Sequence, residues 1–249
     1  IGLGITSYIF FLQETDEERH LIREKLVLGV EKSFLTTAVW VSEEKGYFEE
    51  ERLDVTIKPF DSGKAALSVM LTGEGLDMVT VAQTPIVLNS FNNDDFVIIS
   101  AMVTSDNDIK LLARKDKGVQ KYSDLSGKTV GVTKGSSGEY YLSLFLTHSG
   151  MNPSEITVID LIPSKLPQAL ADGSVDVICT WEPNILEAKK LIGKNAVILL
   201  AKGGLNIYRE DFYFTSTKGY TTKNQVALQK FLRAIKKGND LIRKEKDEA

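Results

Sequence analysis

Leu71-Thr-Gly-Glu-Gly-Leu-Asp77-Met-Val79 returns 99 positions later as Leu170-Ala-Asp-Gly-Ser-Val-Asp176-Val-Ile178. Each copy reads as the end of a helix, a glycine turn, an aspartate, and then an apolar strand. A loop with a proline follows, and another helix. The proline is Pro183 in the second copy and Pro85, one residue later, in the first. Two copies of one α/β unit imply two related lobes, each with its own sheet, because a sheet and its helices bury one core between them.

Working outward, strands and helices alternate around both copies. Lys25–Val30 reads as a buried strand, Thr36–Lys45 as a helix ended by Gly46, Leu53–Lys58 as a strand and Ser62–Leu71 as a helix. Asp77–Val81 is a short buried strand, Pro85–Phe91 a helix with proline in its first turn, and Phe96–Met102 a strand. The second series is Thr129–Thr133, Gly138–Ser149, Ile156–Leu161, Lys165–Ala171, Val175–Thr180, Pro183–Ile192 and Ala196–Ala201. Such alternation predicts mostly parallel sheets covered by helices. Glu210–Thr217 alternates like an edge or crossing strand, and Ile109–Arg114 reads as a second crossing. A long amphipathic helix runs from Lys223 to about Lys246. Residues 25–105 with 210–249 therefore form one lobe and 106–209 the other, joined by a two-stranded hinge. Residues 1–24 stand apart. Ile1–Leu12 is apolar but shorter than the ~20 residues that span a bilayer, and a charged segment follows; it is expected to be an uncleaved anchor or a packed helix.

Composition narrows the function classes. A net charge of −4 offers no basic field for nucleic acid. A single cysteine, Cys179, allows no intrachain disulfide, and it falls in a buried strand where a thiol is inert. His20 and His148 are far apart and have no ligand-spaced partners, so no triad and no metal site is expected. Gly127-Lys128-Thr129 is not a phosphate loop: Tyr122 stands where the first glycine is needed, and the segment precedes a strand. Gly2-Leu-Gly4 lacks the rest of a dinucleotide fingerprint. No catalytic residue and no cofactor is expected.

What remains looks like a ligand cleft. In parallel α/β sheets, ligands sit beyond the carboxyl ends of strands, where helices begin. Four such junctions are rich in hydroxyls, glycine or aromatics: Ser33-Phe34-Leu35-Thr36-Thr37, Thr80-Val81-Ala82-Gln83-Thr84, Lys134-Gly135-Ser136-Ser137-Gly138 and Thr180-Trp181-Glu182-Pro183. Free N–H groups at helix starts attract polar or anionic atoms. Phe34, Tyr140, Trp181 and Tyr213 offer flat apolar walls. Asp61 either receives a cationic group or caps the helix after it. The same hydroxyls are also ordinary helix caps, and the case for a cleft rests on four junctions sharing one chemistry.

These residues carry a resemblance. Glu44-Lys-Gly-Tyr-Phe48, Leu71-x-x-x-Gly75-x-Asp77, Tyr122-Ser-Asp-Leu-Ser-Gly-Lys-Thr-Val-Gly-Val132, Lys134-Gly-Ser-Ser137, Ala169-Leu-x-x-Gly173-x-Val-Asp176, Trp181-Glu-Pro183 and Phe231-Leu-Arg-Ala234 resemble the substrate-binding proteins of ABC importers, in the NMT1/THI5-like group. That group handles nitrate, sulfonates, taurine and thiamine-precursor pyrimidines. The resemblance spans about 25–246. It implies a type II periplasmic-binding fold with two Rossmann-like lobes. It also implies an extracytoplasmic, monomeric binding domain that hands a small ligand to a membrane permease. The site residues it implies are Ser33, Phe34, Thr36, Ala82, Gln83, Ser136, Ser137, Trp181 and Glu182. The chain departs from sulfonate binders in lacking a glycine-rich run after Phe60, and it stops where family members continue with further helices. A ligand-sensing domain of a membrane signalling protein is the alternative, and an enzyme on this scaffold the third.

Overall fold

The computed structural model describes residues 23–201 and 207–245; the apolar start lies outside them. Ten strands form two separate five-stranded sheets. The first is ordered β2-β1-β3-β10-β4, from Leu53–Phe60, Glu24–Glu31, Met78–Ala82, Glu210–Thr217 and Phe96–Ser105. The second is ordered β7-β6-β8-β5-β9, from Thr157–Asp160, Thr129–Val132, Val177–Thr180, Lys110–Arg114 and Ala196–Leu199. Each has four strands running one way and one reversed, β10 in the first and β5 in the second.

Nine α-helices accompany the strands among the described residues: α1 Thr37–Glu44, α2 Tyr47–Glu50, α3 Gly63–Leu71, α4 Gln83–Ser90, α5 Ser137–Ser149, α6 Leu166–Asp172, α7 Asn184–Ile192, α8 Lys218–Lys223 and α9 Gln225–Lys244. Apolar residues of α1 and α9 cover one face of the first sheet, with Phe231 stacked on Phe48 and edge-on to Phe214. Ala66, Leu67 and Met70 of α3 cover the other. The second sheet is sandwiched likewise, by Leu142 and Phe145 of α5 and by Leu170 and Ile185 of α6 and α7. Burial on both faces explains why the strands read as apolar runs.

The internal repeat is structural. Asp77 Oδ2 accepts from Val27 N at 2.7 Å, and Asp77 N donates to Val27 O. Asp176 Oδ2 accepts from Thr129 N at 2.8 Å, and Asp176 N donates to Thr129 O. Each aspartate thus fastens the start of the third strand of its unit to the first. Two residues on, Gly29 and Gly131 repeat as well. A Cβ at Gly29 would lie 3.0 Å from Leu76, and one at Gly131 would lie 3.0 Å from Leu166 and 3.4 Å from Val175.

Three expectations need correction. Ile109–Arg114 and Glu210–Thr217 are interior sheet members, not crossing or edge strands. The chain passes between the sheets before β5 and again between β9 and β10. Glu210–Thr217 was misleading because it buries polar residues: Ser216 is fully enclosed, and its Oγ donates to Asp77 O at 2.6 Å. The long last helix is α9, as expected, but it starts at Gln225 and not at Lys223, because Asn224, with φ −124° and ψ 38°, parts it from the short α8. A 3₁₀ turn, Phe34–Thr36, precedes α1, so that helix starts one residue late.

Candidate functional site

The two sheets point their strand ends at one shared gap. Glu31, at the end of β1, and Ala82, at the end of β3, face it from the first unit, with Ser62 to Lys64 at the start of α3. Ser136 and Ser137, at the start of α5, and Trp181, just after β8, face it from the second. Glu210 and Phe212 of β10 complete the wall. The gap is shut: it holds about 10 Å³, space for roughly one water. Glu31, Ala82, Ser136, Ser137, Trp181 and Glu210 are each at most 5% exposed.

Contacts across the rim keep it shut. Lys64 Nζ donates to Lys134 O at 2.6 Å. Ser164 Oγ donates to Asp61 Oδ2 at 2.7 Å, while Lys32 Nζ holds Oδ1 at 3.1 Å. Those bonds, the one from Ser164 first, draw the Asp61 carboxyl below its usual range. Thr84 Oγ1 lies 3.3 Å from Tyr208 Oη, and Tyr140 packs edge-on against the same ring.

Helix starts are the usual place for a polar ligand, and here the chain supplies its own acceptors. Gly63 N donates to Glu31 Oε2 at 2.5 Å, and Ala65 N to Ser62 Oγ at 3.2 Å. Gly138 N donates to Ser136 Oγ at 3.1 Å. Gly63 is required for the first arrangement. A Cβ there would meet Thr80 O and Val81 Cα, both at 2.8 Å, and both are backbone.

The gap is acidic beneath its surface. Burial pushes the Glu31 carboxyl well above its ordinary value, and the neighbouring Glu210 adds to it. Burial and Asp108 raise Glu210 in turn; Asp108 is raised by burial while Lys110 draws it back. Lys110 Nζ also sits 3.4 Å from Glu182 Oε1. Carboxyls cannot all ionise in one dry space, because each charge lacks water and repels the next. Among the described residues, three buried polar atoms of this neighbourhood, Trp181 Nε1, Ser137 Oγ and Asp108 Oδ2, meet no partner at good hydrogen-bond geometry.

The expected site residues divide. Ala82, Ser136, Ser137 and Trp181 meet at the gap. Glu182 stands behind it, held by Lys110 and accepting from Leu186 N at 2.9 Å. Asp61 is a rim tie, and the cap of α3 is Ser62 instead. Thr36 is enclosed and donates to Glu31 O and Ser33 O, so it braces the turn behind Glu31; Ser33 Oγ accepts from Leu35 N. Gln83 is spent on the crossing chain: its Nε2 donates to Arg209 O and its Oε1 accepts from Asp211 N. Gln83 and Tyr140 border a separate, wider groove of about 550 Å³ floored by Tyr208. Phe34 is 55% exposed and lies in a different depression, with Met102 and Ile242. Tyr213 packs into the core of the first unit. The sequence reading missed Glu31, Lys64, Asp108 and Glu210. An acid directly ending the apolar run Leu26–Val30 was the available signal for Glu31.

The NMT1/THI5 like family profile matches residues 34–249. A Bacillus subtilis protein assigned as an aliphatic-sulfonate-binding protein is 27% identical over 235 residues, covering 92% of this chain and 69% of that protein. The taurine-binding periplasmic protein of Escherichia coli is 22% identical over 144 residues, 58% of this chain and 44% of that protein. Among solved structures, the alkanesulfonate-binding protein of Xanthomonas axonopodis pv. citri bound to MOPS superposes with a TM-score of 0.76 at 23% identity, covering 89% and 75% of the two chains. That likeness shows a shared periplasmic-binding-protein fold.

Proposed function

The chain belongs to the NMT1/THI5-like family, and from that premise we propose that it is an extracytoplasmic solute-binding protein, closing its two lobes on a small solute and handing it to an ABC importer in the membrane. The observation that carries this reading is the meeting of Glu31 and Ala82 with Ser137 and Trp181 in one gap, with Trp181 Nε1 unpartnered there. A buried donor without an acceptor costs free energy, and a solute bridging the lobes would satisfy it. Closure then follows from contacts made only when both lobes touch the solute. Capture without turnover suits the site. Among the described residues no imidazole lines the gap. The Cys179 thiol donates to Gly138 O, and burial holds it far above its ordinary range. Among the described residues no helix is long and apolar enough to cross a membrane; attachment through Ile1–Leu12 is part of the proposal.

The test is a thermal-shift screen of pooled small solutes, followed by small-angle scattering on each hit. A solute that binds only the folded chain raises its melting temperature, and one held between lobes shrinks the radius of gyration. If no pool does either, the reading is wrong.

A further inference from the structure

We propose that the gap selects a small organic cation, an amine, amidine or guanidine, received by the Glu31 and Glu210 carboxylates against the Trp181 ring. This rests on the solute-capture reading and names the class of solute for that site.

Three observations carry it. First, the positions an anion would take are filled from within. The Glu31 carboxyl already sits on the first N–H of α3, and Ser136 Oγ on that of Gly138 at the start of α5. An incoming sulfonate or nitrate would have to displace a carboxylate from the donor it needs. Second, the charge is one-sided. Glu31, Asp108, Glu182 and Glu210 influence one another here, while Lys110 is committed to Glu182 and to the carbonyls of Asn107 and Asp108. Lys64, the other ammonium at the gap, is tied across the rim to Lys134 O. A cation entering between Glu31 and Glu210 would let both ionise, and their mutual repulsion would become attraction to the solute. Third, Ser137 and Trp181 line the same space. Ser137 Oγ lies beside Glu210 and steadies its charged form, and it can accept an N–H. Trp181, 4% exposed with its Nε1 unpaired, offers an aromatic face to a cation and a donor to any hydroxyl it bears.

The test is titration calorimetry on the whole chain with ethanolamine, acetamidine and methylguanidine in one arm and ethanesulfonate and nitrate in the other, repeated on Glu31→Gln and Glu210→Gln. We expect at least one cation to bind, each glutamine variant to weaken it tenfold or more, and neither anion to bind. Binding of an anion to the unaltered chain overturns the inference. So does failure of every cation, or an unchanged cation affinity in both variants. Failure of capture itself reads differently. If the pooled solutes contract the protein while no cation does, capture stands and the charge assignment falls; if nothing contracts it, both fall.

Discussion

The two lobes share a frame and differ in what they present to the gap. Val27, Gly29 and Asp77 in the first match Thr129, Gly131 and Asp176 in the second, with the same hydrogen bonds and the same close approach. At the strand ends the match stops. The first strand ends toward Glu31 in one lobe and toward Thr133 at the matching place in the other. After the third strand stand Ala82 and Trp181. One lobe thus brings acid and empties space, and the other brings a neutral hydroxyl and fills it with an aromatic ring. Positions that repeat specify the scaffold; positions that break the repeat set the chemistry of the gap.

The largest effect expected from breaking this comparison is at Trp181. Its ring packs in the second lobe's core with Tyr141 and Cys179. Trp181→Ala should cost about 3–5 kcal/mol in urea unfolding, the range for emptying a large buried aromatic site. Trp181→Phe keeps a ring and removes Nε1–H, so it should cost about 1–2 kcal/mol while weakening solute binding about tenfold. A phenylalanine variant that binds as tightly as the parent would remove the indole N–H from the site.

Next come the matched aspartates. Asp176 Oδ2 accepts from both Thr129 N and Thr129 Oγ1, each at 2.8 Å, whereas Asp77 Oδ2 takes only Val27 N. Hydrogen bonds to a charged acceptor contribute about 1.5–3 kcal/mol each. Asp176→Ala should therefore destabilise by about 3 kcal/mol or more and Asp77→Ala by about 1.5–3 kcal/mol, read from denaturant midpoints at constant slope. Equal losses would show that the threonine hydroxyl adds nothing and that the repeat is symmetric in energy as well as in form.

Most of the frame was legible in the sequence, since buried parallel strands and amphipathic helices leave periodic patterns, and the Asp77/Asp176 repeat announced two units. The gap was half legible. Ser136, Ser137, Ala82 and Trp181 follow from the rule that ligands lie beyond strand ends. Gln83 lies outside the gap, its amide bonded to Arg209 and Asp211, partners far along the chain that no local pattern reveals. Phe34 lies outside it too, because the 3₁₀ turn carries it outward. Asp108 and Glu210 were invisible for a related reason: they stand beside the two crossings and meet only when both sheets are built.

The smallest effect sharpens the acidic side of the comparison through pH. Glu210 is pushed up to about 8 by burial first and by Asp108 second, and Glu31 is raised in the same sense. A carboxyl raised in this way contributes stability that is fully present below its solvated pKa near 4.3. That contribution is lost as pH rises through the raised value, because ionising it in the dry gap is costly. The shut form should therefore lose on the order of 1 kcal/mol between pH 6 and pH 7, relative to any state in which these groups meet water. The melting temperature should fall across that interval, or the radius of gyration should grow if the lobes part first. Glu210→Gln should reduce the slope without abolishing it, since Glu31 and Asp108 still repel one another and Lys110 draws back Asp108 alone. Ser137, Thr84 and Tyr208 do not ionise in that range and leave the sign unchanged. A flat response in both measurements would mean that Glu31 and Glu210 are solvated, and the lobes would then differ in sequence without differing in charge.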